Sequence, residues 1–526
     1  MKKYFSSISN NIFFNQMILS KNHISIIILL FISYCSIGTG IHTDDYIFLA
    51  DAINNNFNQS INSWFANRYY FLSAPNIFFQ IIQAHLFHDN YFLYDIIKIL
   101  VICLSIYFVY LFSTIYMNSA KSILFSFCFV IYPINEAVNY QPITMYYLIV
   151  PALVMYGFYN INFNKYLIGV CSLILGTFFS YGSLPYVFGL SILFLFQKQY
   201  KNFSIFIFPQ LIYIIYYFII SINFNVMDTR TGSIFNFSAI IKQFMIQLFS
   251  SIDSLVGPSF ILKMLLSISS LSLISALIGI AFIVLFIKNF QPIKNGIESE
   301  LLYSFTAILF IGYFIYSLTG LLPNMSFGLG NRVTTYGVLL SSLIIVSIFF
   351  NKKLSTILFS IIVFGFLGIS DHWKNFENHK KLLMNKIHLN DQINSLEKNT
   401  QILISHNMYS KIGPISHIEL FTESAPNNAI FNIINGKNLS VIPINSRCYV
   451  NGNNLIDPKF GIISNLNNII VYNSNEDRLI KLNKIEIQNY INTLNEDKRH
   501  WIQFLPKNNF IRKLLIYLMP RFDYLF

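Results

Sequence analysis

Asp44 and Asp45 stand side by side directly after the first long apolar run of the chain, HISIIILLFISYCSIGTG from His23 to Gly40. Charge beside hydrocarbon is costly, and where it persists it tends to have a function. Two adjacent carboxylates can take the proton of an attacking hydroxyl, or hold a hard divalent cation such as Mg²⁺ or Mn²⁺. The segment TDDYIFLADAINNNF predicts a helix with Tyr46, Leu49, Ala50, Ile53 and Phe57 on one face, Thr43 as its cap and both acids in its first turn. Acids there complement the helix dipole, which is a structural role, yet the same dipole keeps them ionised for use as a base. His42 precedes the pair, where a histidine is more often structural than catalytic.

A second chemistry is written in the arginines. Only Arg68, Arg230 and Arg332 precede residue 371. A guanidinium presents a planar fork suited to phosphate, whereas lysine is a point charge. Trp64 and Arg68, one helical turn apart in SINSWFANRYY, suit a cation–π contact or a platform for a sugar ring beside a phosphate clamp. Glu136, in the turn YPINEAVNYQP, is a weaker second acid whose plainest role is at a helix end. There is no phosphate-cradling glycine loop, zinc-ligand spacing or internal repeat.

Composition fixes what must position these groups. Of 526 residues, 54% are hydrophobic and 11% charged, against roughly a quarter charged in soluble proteins. The chain reads as a polytopic all-α membrane protein. Apolar runs near 23–40, 92–117, 122–134, 142–160, 166–180, 185–197, 203–222, 262–287, 301–322, 335–350 and 354–370 predict about eleven transmembrane helices, three of them shorter than a full crossing. Lysines such as Lys21, Lys121, Lys165, Lys201, Lys288 and Lys353 then fall on one side, the cytoplasm by the positive-inside rule. The net charge of +12 therefore reports orientation and not nucleic acid. The three arginines and most acids, Asp44, Asp45, Glu136, Asp228 and Asp253 among them, fall on the outer side. Five cysteines, four in apolar runs, give no disulfide framework.

The expected organisation has three parts: a cytoplasmic amphipathic segment at 1–22, a membrane module at 23–370 with a long first outer loop at 41–91, and an outer domain at 371–526. In the last part an amphipathic helix from Asp371 precedes β-like runs QILISHN, IELFTES, AIFNIING, SVIPIN and IIVYN, an α/β pattern. The tail FIRKLLIYLMPRFDYLF is basic and aromatic, fit to rest on a membrane surface.

A long first outer loop with DDY after span one, then Trp64 and Arg68, and a late-loop Arg332 in GLGNRVTTY, resembles the GT-C superfamily of membrane glycosyltransferases, most of all bacterial and phage-type O-antigen glucosyltransferases. The setting Asn67-Arg68-Tyr69 departs from the Gly-Arg-Pro type expected there. The resemblance implies transfer of a hexose, usually with inversion, from a polyprenyl-phosphate or polyprenyl-diphosphate donor to a glycan or lipid-linked acceptor. It implies a multi-pass protein of the bacterial inner membrane with a periplasmic C-terminal domain. One of Asp44 and Asp45 is then the base and the other orients the sugar or a cation. Arg332, Arg230 and Arg68 bind donor phosphate, and Trp64, Glu136 and His42 line the sugar or acceptor. An O-antigen polymerase or ligase and a lipid-linked sugar flippase or exporter are the rival readings.

Overall fold

The computed structural model describes residues 21–224, 237–289, 298–318, 324–348, 352–405, 408–457, 461–466, 469–495 and 498–518. Arg230, Asp228, most of the N-terminal segment and the last eight residues lie outside the described residues. The apolar runs are helical, as they must be where no water satisfies backbone N–H and C=O groups. Among the described residues seven helices are long and apolar enough to cross a membrane: Tyr91–Ser113, Pro142–Asn162, Tyr200–Asn223, Phe237–Ile268, Ser299–Leu318, Leu329–Ser347 and Lys353–Leu389. Five shorter apolar helices accompany them.

This differs from eleven separate runs. The helix Phe237–Leu255, assigned from sequence to an outer loop, is joined to Pro258–Ile268 by a break at Gly257. Pro258 has no N–H to give and so starts the new helix. The expected run 262–287 is split instead, ending at Ile268 and resuming at Leu273. Asp371 fixes the split by accepting the backbone N–H of Ser272 at 2.8 Å. The last apolar run and the amphipathic segment are one unbroken helix, Lys352–Leu389. It lies against Pro258–Ile268 almost backbone to backbone, since a Cβ on Gly368 would stand 2.1 Å from the Ser267 carbonyl oxygen.

The first loop is itself folded, as helices Asp45–Asn54, Phe57–Ala66 and Ala74–Phe87 with a 3₁₀ turn at Arg68–Ser73. Tyr46, Leu49 and Ala50 are buried as the spacing predicts. Ile53 is exposed, and Phe57 opens the next helix, because Asn56 caps a new start in a box with Gln59.

Beyond residue 400 the chain forms strands β1 Gln401–Ser405, β2 Met408–Ile412, β3 Ile415–Leu420, β4 Ser440–Pro443, β5 Tyr449–Asn451, β6 Asn454–Asp457, β7 Gly461–Asn465, β8 Ile469–Asn473 and β9 Arg478–Leu482. The central sheet has order β4-β1-β8-β9, the first three parallel and β9 antiparallel; β2–β3 is a hairpin and β5–β7 a meander. The run AIFNIING is not a strand. It belongs to the helix Ser424–Asn435, whose Pro426 sits in the first turn and whose end is set by Gly436 at φ +60°. That helix packs on Asp45–Asn54, so the C-terminal region touches the element that follows the acidic pair.

Candidate functional site

The turn after the first helix is held by buried charge. Asp95 accepts the backbone N–H groups of Gly38 at 2.7 Å and Gly40 at 3.2 Å. Lys98 pairs with Asp95 at 2.9 Å and also bonds the Thr39 hydroxyl and the Gly40 carbonyl. From the opposite side Lys380, paired with Glu377, donates to the Ile41 carbonyl. Gly40, at φ +66°, has no room for a side chain; a Cβ would lie 2.2 Å from the Glu377 carboxyl carbon. His42 is buried in this frame with Nε2 2.6 Å from the Thr39 carbonyl and its ring edge-on to Trp373. Burial, then Lys380 and Lys98, hold it well below the ordinary histidine value, so it is neutral.

The acidic pair separates into two environments. Asp45 is buried, and its two oxygens accept the backbone N–H groups of His42 and Ile143, each at 2.8 Å. Burial pushes its carboxyl up to about 7 against those two donors. Asp44 is half-buried and makes no capping bond to its own helix. Thr43 is not the cap either: it sits at φ +46° with its hydroxyl taken by the Gln141 amide at 2.5 Å. The Asp45 and Thr43 bonds tie the acidic turn to Gln141–Ile143, just before Tyr146 and Tyr147, whose rings stack at 4.3 Å.

Arg332, half-buried, completes this cluster. It lies within electrostatic reach of Tyr147, Tyr146, Tyr316 and Asp44. Tyr70 is raised above the ordinary phenol value by burial and by Asp44. A carboxylate, a guanidinium and several phenols thus share one partly open place, at the junction of the first loop, the Gln141–Tyr147 segment and the Leu329–Thr334 turn.

Beneath the Arg332 turn lies a second, closed network. Glu136 receives Lys263 and, at 2.7 Å, Asn331 on Oε1, and His417 at 2.8 Å and Trp373 at 3.3 Å on Oε2. Burial alone would raise its carboxyl, but His417, Lys263 and their hydrogen bonds bring it down to about 2. His417 is pushed below the ordinary histidine value by burial, against the pull of Glu136. Its Nδ1 accepts the Gly328 backbone N–H at 3.0 Å, so Nε2 carries the proton donated to Glu136.

The structure therefore brings Asp44 within electrostatic reach of Arg332, with Asp45 fixed beside it, while the described residues Trp64, Arg68, Glu136 and His42 make other contacts. Trp64 does not meet Arg68, because Asn67 is extended and breaks the helix between them. Trp64 stacks on Phe48 at 4.0 Å and donates to Asp51 at 3.1 Å. Arg68 is exposed, its guanidinium over Phe71 and Phe224. Glu136 and His42 are enclosed by protein partners. The two carboxylates do not fit a Mg²⁺ or Mn²⁺ centre well: Asp45 is committed to backbone donors. Among the described residues no three His, Cys, Asp or Glu side chains gather as a metal site. Sequence reasoning missed Lys98, Lys263, Glu377, Lys380 and His417. The first two carry a signal of their own, a lone lysine within an apolar helix in YDIIKIL and PSFILKMLL. Compared with protein-family models, curated proteins and solved structures, the chain matches none.

Proposed function

We propose that this chain is a membrane glycosyltransferase of the GT-C kind, moving a sugar from a polyprenyl-phosphate donor to a glycan or lipid acceptor on the outer face of a bacterial inner membrane. The observation that carries the reading is Asp44, half-buried at the head of the first-loop helix and within electrostatic reach of Arg332, with Asp45 locked beside it as its anchor. In the reaction the acceptor oxygen attacks the anomeric carbon as the carbon–oxygen bond to phosphate breaks. The electron pair leaves on the phosphate oxygen, where Arg332 and the tyrosine hydroxyls stabilise it, and the acceptor proton passes to Asp44. Inversion follows from attack opposite the leaving phosphate. No step is assigned to a metal ion.

The topology proposed with it keeps the N-terminus in the cytoplasm and the C-terminal domain in the periplasm. In support, Lys121 and Glu298, both assigned to the inner side, meet at 2.8 Å. Asp44, Glu136, Arg332 and the C-terminal His417, all assigned to the outer side, belong to contiguous networks. The test is purified protein given a radiolabelled polyprenyl-phosphate sugar and membrane acceptor. Transfer that D44N abolishes is expected; full activity in D44N sinks the assignment of the base. Passage of donor across vesicles without transfer would favour the exporter reading.

A further inference from the structure

A hairpin of the C-terminal region, β2–β3, reaches the Arg332 turn. The tip of β2–β3, Ile412 and Ile415, packs with Leu262, Leu266 and Phe327 in a small apolar cluster. Behind the tip, His417 of β3 is buried and holds two segments of the membrane module at once: Gly328 through Nδ1 and Glu136 through Nε2. Glu136 in turn holds Asn331, the residue before Arg332, and Lys263 fixes the same turn by donating to the Ser326 carbonyl. Gly328 stands at φ +86°, a conformation that glycine adopts readily and most side chains avoid. The turn Ser326–Arg332 is thus gripped at positions 326, 328 and 331, while its arginine lies within electrostatic reach of Tyr146, Tyr147 and Asp44.

We infer that His417 is a positioning residue for phosphate recognition: the C-terminal domain sets the aim of Arg332 by bonding Gly328 and Glu136 through one imidazole. This gives the domain a part in donor binding, and its link to sugar transfer rests on the function proposed above. Neither bond can be replaced by packing alone. An asparagine at this position presents an oxygen near Nδ1 and keeps the Gly328 bond; a glutamine presents an amide nitrogen near Nε2 and keeps the Glu136 bond.

The experiment has two arms, both on the full-length protein in detergent. The first is hydrogen exchange over Ser326–Thr334, which needs no ligand and no activity. Exchange at this turn should rise roughly three- to tenfold in H417Q, which loses the Gly328 bond, at least as much in H417A, which loses both bonds, and return towards wild type in H417N. The second is affinity for farnesyl phosphate as probe, which should weaken by a similar factor in H417A and recover in H417N, with R332A, weakened by about tenfold or more, as the reference for loss of the arginine contact. Unchanged exchange in H417A, or an H417N protein that behaves as H417A, overturns the inference. So does raised exchange with unaltered affinity for the probe. A wild-type protein that binds farnesyl phosphate through Arg332 yet transfers no sugar would end the transferase reading while leaving this brace in place.

Discussion

Ile143 donates its backbone N–H to Asp45 Oδ1 at 2.8 Å, joining residues 98 positions apart, while Asp44 beside it lies within electrostatic reach of Arg332. Two acids that look equivalent in sequence therefore have different work. D44N is expected to lower transfer by about a hundredfold or more, the range for loss of a general base, with melting temperature unchanged. D45N is expected to cost about 1–3 kcal/mol of stability, because a buried backbone donor loses its acceptor. Paired activity and thermal-melting measurements check both; a stable, inactive D45N would reverse the roles.

Arg332 is the cation of the open cluster, and a lysine cannot reproduce its forked contact with phosphate. R332A and R332K should both raise the apparent KM for donor, R332A by about tenfold or more, with little change in acceptor KM. Steady-state kinetics with each substrate varied in turn decide it. An effect confined to acceptor would remove Arg332 from the phosphate.

Asp45 also carries a pH signature. Its folded pKa of about 7 lies above the unfolded 3.8, so between these values the native state keeps a proton that the unfolded chain has released. Its stabilising contribution is complete below pH 3.8 and is lost as pH rises through 7. The stability advantage of wild type over D45N should shrink across that window, read from melting curves at successive pH values. A gap that widens with pH would contradict the buried, protonated state.

Glu136 and Lys263 form a buried pair that tolerates joint loss better than single loss. K263M strands the Glu136 charge and should destabilise by about 3–5 kcal/mol; adding E136Q should recover a large share. Chemical denaturation of the two variants makes the comparison, and equal losses would show that the pair is not coupled.

Much of the fold was legible because its rules are local. Apolar runs gave helices, though 262–287 gave two, and QILIS, SVIP and IIVYN gave strands. AIFNIING misled because a helix buried on one side of a sheet and a strand share the same apolar residues; only Pro426 and Gly436 at its ends distinguish them. The site was half legible. Asp44 and Arg332 stood out by type and place, but nothing in the sequence shows that Asp45 is taken by a backbone N–H at Ile143. His417 was out of reach for a plainer reason: its meaning lies in Gly328 and Glu136, residues distant in the chain whose proximity is a fact of tertiary packing.

The helix Lys352–Leu389 extends without interruption from an apolar span towards the C-terminal region, carrying Trp373, Glu377 and Lys380. At 1.5 Å per residue it is a rod of roughly 57 Å. A rod without a hinge transmits tilt along its whole length. Bilayers of different thickness, which reorient long spans, would thus shift the scaffold around His42 and Glu136, making lipid chain length a physical control on that scaffold.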